Sequence, residues 1–178
     1  MPDVLGAVYD FLQAHISPLP EHIVRGWQNR AALPDASEYV VLTLINAPRR
    51  GTNVHEWRNS GDDALIQSVR MLVLYDVQVD FCGLDEARVG QQAAQLVMLG
   101  RDAAAVRFFQ AYGLAALYTD DPRSLPFGDD LDQWKVRYAV TLHLSAWIDA
   151  DIPLPSFRSV NFYLENVDVH HPVQRKGV

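Results

Sequence analysis

The sequence holds a single cysteine, Cys82, so no disulfide can close within one chain. Its apolar neighbours predict a buried, inert thiol rather than a nucleophile. No apolar run approaches the ~18 residues of a membrane span, and no basic-then-apolar leader opens the chain. The expectation is a protein made and kept in a reducing, soluble compartment, with no membrane partner. Positive charge is scarce, with 15 Lys and Arg against 22 Asp and Glu, a net charge of −7. That argues against a general grip on nucleic acid, which needs clustered bases, but not against DNA passing without sticking. Catalytic signatures are missing as well: there is no nucleophile elbow, phosphate-cradling glycine loop, HExxH pair or two-cysteine knuckle. His15, His22, His55 and His143 are scattered, and His143 lies on the polar parity of its segment, where a surface or interface role fits better than that of a base. His170 and His171 point apart on an extended segment and have no third ligand in view. The acids between Asp120 and Asp132 lack the oxygen-ligand spacing of an EF-hand. The sequence therefore predicts no enzyme, no cofactor and no metal.

What is present is a globular composition, 49% hydrophobic and 21% charged, consistent with one domain over residues 1–178. From Gln133 to Trp147, Trp134, Val136, Tyr138, Val140, Leu142, Leu144 and Ala146 share one parity and polar residues take the other. This period-2 pattern predicts one long half-buried strand. It is long enough that it must bend or outrun its own domain, as in a subunit built to touch another. Asp3 caps a predicted helix ending at Pro18. Tyr39 to Ile45 reads as a strand covered on both faces. Val69 to Cys82 reads as a second long strand, whose Asp76 and Asp80 point the same way about 13 Å apart, too far to share a metal, and form a solvated face. Helices follow over Glu86 to Gly100 and from Asp102 through Ala111, then a short strand, Leu114 to Thr119. Asp149, Asp151, Pro153 and Pro155 read as a connection, Phe157 to Val169 as a last strand, and residues 170–178 as a flexible tail. The class is α+β: a mostly antiparallel sheet of about four to five strands with two to three helices packed on it.

Asn46 to Asp63 breaks the pattern and predicts a long loop or arm, a kind of segment that tends to be functional. Arg49, Arg50 and Arg58 form a basic patch there, with Val54 and Trp57 as possible anchors. The patch is either solvated loop charge or a contact to a neighbouring subunit or a polyanion.

Several strings, in order, resemble the neck or tail terminator (tail-completion) proteins of tailed bacteriophages. They are Gly26–Trp27–Gln28–Asn29–Arg30, Tyr75 to Phe81 followed by Gly83, Asp120–Asp121–Pro122–Arg123 with Leu125–Pro126–Phe127, Trp134 with Arg137–Tyr138, and Glu165 to Val169. The resemblance implies a structural virion protein of the tail or neck, made in the host cytoplasm. It implies a ring, commonly a hexamer, that caps the head-proximal end of the tail tube and ends its polymerisation. Such a ring offers a docking surface to the head connector and lets DNA through its lumen without specific binding. On this reading Arg49, Arg50, Val54, Trp57 and Arg58 are candidate subunit-interface residues, and the lumen is acidic or neutral. The alternatives are a tail-tube or head–tail joining protein of similar subunit fold, or a small ligand-binding domain or enzyme.

Overall fold

A computed structural model describes residues 2–16, 22–26, 37–59, 64–128 and 134–155. Helix α1 (Val4–His15) starts where the Asp3 carboxylate accepts the Gly6 N–H, and its buried face is Val4, Ala7, Val8, Phe11 and Leu12. Strands β1 (Ile23–Arg25), β2 (Glu38–Asn46), β3 (Arg49–Asn59) and β4 (Ala64–Gly83) follow. Asp85 then caps α2 (Glu86–Gly100), and Asp102 caps α3 (Ala103–Gln110). The remaining strands are β5 (Ala115–Thr119), β6 (Arg123–Ser124), β7 (Phe127–Gly128) and β8 (Trp134–Pro155).

The path across the sheet is β1-β2-β4-β8-β5, with β3 on the β2 side of β4 and with β6 and β7 on β8. Among the described residues only β1 and β2 run parallel, and every other pair is antiparallel. The α+β class holds, but the described residues carry eight strands rather than four or five. The excess comes from β1, β6 and β7, too short to show a period, and from β3.

The spine is the β4–β8 ladder, which runs from Ala64↔Pro155 to Gly83↔Val136 without a register shift. A strand of β4's length would span about 66 Å if straight. Odd residues of β4 and even residues of β8 share one face. Near the helices this face is the core: Val73, Tyr75, Val77, Val79 and Phe81 meet Val140, Leu142 and Leu144, all buried. The helices cover it with Val89, Ala93 and Leu96 from α2 and with Phe109 from α3, while Phe11 of α1 packs on Phe108 and Phe109.

Away from the helices the three long strands continue as a ribbon. Residues 49–59 form β3, paired with β4 from Arg49↔Val73 to Asn59↔Leu65, where a loop was expected. The strand shows no apolar parity because it is exposed from Arg49 to Arg58. Its ladder also breaks between Arg50 and Val54, beside Gly51 at φ +76°. Likewise Asp149 to Pro155 is the far end of β8, not a connection. Strand β2 is covered at its start but exposed at Leu44 and Ile45, where it leaves the helices. The expected strand over Phe157 to Val169, the tail 170–178, Trp27 and the histidine pair lie outside the described residues.

Tyr75 is fully buried, and its hydroxyl finds no hydrogen-bond partner among the described residues. An unsatisfied buried hydroxyl costs about 1–3 kcal/mol. Tyr75→Phe is therefore expected to leave stability unchanged or raise it, as read from urea unfolding midpoints. A clear loss would show that the hydroxyl has a partner.

Candidate subunit interface

The ribbon formed by β3, the first half of β4 and the end of β8 has two unlike faces. On one face Trp57, Val69, Met71, Ile148 and Ile152 continue the core parity beyond the helices. Trp57 is 58% exposed there. On the other face lies a charged network across all three strands. Arg58 meets Asp151, which also accepts the Ser68 hydroxyl at 2.6 Å. Arg70 meets Asp149 at 2.8 Å and Glu56 at 3.6 Å, and its guanidinium lies 5.4 Å from the Trp147 ring centroid. Cross-strand pairs of this kind fix the order of neighbouring strands, although each exposed pair contributes only about 0.2–1 kcal/mol. The network explains how β8 carries two aspartates and remains a strand.

The five candidate interface residues all sit on β3, but not on one surface. Trp57 lies on the apolar face; Val54 and Arg58 lie on the charged face. Arg58 is tied within its own subunit by Asp151. Arg49 and Arg50 are exposed, and neither meets a carboxylate within 4.0 Å among the described residues. Sequence reading missed the counter-charges Arg70, Asp149 and Asp151. Their signal was the charge alternation in Glu56–Arg58 and Asp149–Asp151, which becomes legible only once the strands are set side by side.

Nearer the helices, the same sheet face that carries the network buries ion pairs where open carboxylates were expected. Asp80 is 4% exposed. Arg137 grips it with two hydrogen bonds, at 3.0 and 2.9 Å, and Gln78 adds two more. Hydrogen bonding to Asp80, partly opposed by burial, holds the Arg137 guanidinium above its ordinary range. Asp76 bonds Nδ1 of His143 at 2.7 Å. The Nε2 of that ring lies 3.4 Å from Asp120 Oδ2 without hydrogen-bond geometry, and Tyr118 stacks on the ring at 4.2 Å. His143 is thus a half-buried strand fastener rather than a surface residue. The two aspartates do not form a solvated face, because each faces a cation or imidazole across the β4–β8 ladder.

A shallow cavity of about 240 Å³, lined by Tyr39, Val41, Asp80, Cys82, Phe127 and Arg137, opens beside this cluster. Burial first, then the Asp80 charge, push the Cys82 thiol up to about 11. Among the described residues no three His, Cys, Asp or Glu side chains converge as metal ligands. No described helix is long and apolar enough to cross a membrane.

A family model described as phage neck terminator protein matches residues 6–172. The chain belongs to that family, which gives it a structural role in a phage tail and makes it a component of the virion. No curated protein matches it.

Two outcomes are expected from the buried cluster. Asp80→Ala strands the Arg137 guanidinium and should cost about 3 kcal/mol in denaturant unfolding, with Asp80→Asn losing less. A value near zero would mean that the pair is solvated. Because the folded thiol holds its proton up to about 11, whereas an unfolded one releases it near ~8.5, folding stability contributed by Cys82 falls as pH rises between those values. At pH 8 the native thiol should resist a disulfide reagent that labels the urea-unfolded chain at once.

Proposed function

We propose that the protein forms a closed ring, a hexamer, at the head-proximal end of the tail tube, where it ends tube polymerisation and presents a docking surface to the head connector. The observation that carries this reading is the family match over residues 6–172. The ribbon supports it: a three-stranded extension beyond the helices, apolar on one face and charged on the other, is material for contacts between copies. A ring requires a heterologous interface, in which one patch meets a different patch on the next copy.

In this reading the charged face of the ribbon looks into the lumen. It holds Glu56, Asp149 and Asp151 against Arg50, Arg58 and Arg70, a charge-balanced face with no net pull on phosphate that lets DNA slide. Arg49 and Arg50, free of carboxylates among the described residues, serve subunit contacts. The tail tube and the connector are its partners, and the ring performs no chemistry.

Negative-stain imaging and light scattering on the purified chain test the proposal. Closed rings of one size, or arrest of tube growth when the chain is added to tube protein, are expected. Open-ended tubes of this chain alone would assign it to the tube instead, and turnover of a small molecule would overturn the structural reading.

A further inference from the structure

Resting on the ring reading, we propose that the joint between neighbouring copies is a parallel strand pair, in which β3 of one copy adds to the far end of β8 of the next. In β8, the carbonyls of Thr141 and Arg137 turn away from β4 and accept the Asp120 N–H at 2.9 Å and the Leu125 N–H at 2.7 Å. The unbroken β4–β8 ladder carries that parity onward, so Trp147, Asp149 and Asp151 also turn their N–H and C=O outward. Strand β5 reaches only as far as Ser145, and no described strand covers β8 beyond it.

Among the described residues, no strand covers the outer edge of β3 either. Leu74 donates its N–H to the Pro48 carbonyl at 3.0 Å, so even residues of β4 face the β2 and β3 side. With Val54↔Arg70, Glu56↔Ser68 and Arg58↔Ile66 in register, His55 and Trp57 turn outward. Both open stretches are short. The bulge at Gly51 limits clean β3 pairing to Val54–Asn59. Pro153 ends the β8 edge: a proline has no N–H to give, and it stands at an outward position. About six residues on each edge are left to meet. Within these stretches β3 carries Arg58 and Glu56 and β8 carries Asp149 and Asp151, with no base on β8 from Trp147 to Pro155; Arg49 and Arg50, beyond the bulge and outside the joint, make β3 as a whole the more basic strand.

Direction follows from symmetry. Strands β3 and β8 both run antiparallel to β4, so they are parallel to each other. Rotation about a ring axis keeps strand direction along that axis, so β8 of one copy meets β3 of the next in parallel. In a parallel pair, a residue facing its partner sits opposite one facing away. Trp57 therefore falls opposite Ile148, Ala150 or Ile152, all on its own apolar face. The apolar and charged faces each continue from copy to copy, whereas an antiparallel joint would turn the next ribbon over and mix them.

Disulfide trapping in the full chain tests this. Trp57→Cys is combined in turn with Ile148→Cys, Ala150→Cys or Ile152→Cys, under mild oxidation. The two positions of each pair are separated by β4 within one chain, roughly 10 Å apart, too far for an internal bridge. At least one pair should give a covalent ladder ending at the ring's size, and each single variant should give none. His55→Pro removes an outward N–H together with the imidazole that meets Gln67 Nε2 at 2.8 Å; it should stay folded by circular dichroism yet lose rings, while His55→Ala, which loses the side chain alone, keeps them. Wild-type rings with no trapped pair, or intact rings in His55→Pro, overturn the strand joint and leave the ring standing. A wild-type chain that neither closes rings nor arrests tubes overturns the ring, and the joint with it.

Discussion

The unbroken pairing of β4 with β8 is the constraint on which the rest of this structure depends. Because the ladder never slips, one parity assignment holds along both strands. That parity sends Tyr75, Val77 and Leu142 into the helical core at one end, leaves Met71 and Ile148 partly buried at its margin, and exposes Ile152 at the other end. A one-residue slip would exchange the faces completely. It would separate Asp80 from Arg137 and Asp76 from His143, since each of these contacts joins strands in that register.

The helices cover only part of the ladder, and this division gives the molecule two regimes of stability. Near α1, α2 and α3, burial of large apolar side chains dominates, at about 25 cal/mol per Å² removed from water. Along the ribbon burial is partial, and the strands are held by backbone pairing and by Arg58, Arg70 and their carboxylates. Exposed ion pairs are weak and screened by salt. The ribbon is therefore the less stable end of the sheet, the end from which surfaces that bind or rearrange are commonly drawn.

The strongly periodic parts of the fold were legible in the sequence. The helix after Asp3, the helices over Glu86 to Gly100 and from Asp102, and the two long alternating strands all form near where the patterns place them. What escaped was structure held by partners rather than by period. β3 is exposed and interrupted at Gly51, so only its pairing to β4 makes it a strand. The end of β8 carries prolines and acids that read as a connection until Arg58 and Arg70 are placed across from them. Asp76 and Asp80 read as wetted because their neighbours on β8, His143 and Arg137, are 67 and 57 residues away in sequence. The candidate residues on β3 were found as a patch, but their division between two faces needed the register.

Pro153 also has a consequence for the isolated chain. An uncovered strand edge is a template on which unfolded or extended polypeptide can crystallise into cross-β aggregates. By withholding a donor at the end of β8, the proline cuts that template to a few residues, and the bulge beside Gly51 does the same for β3. Such abbreviated edges make poor seeds for fibrils.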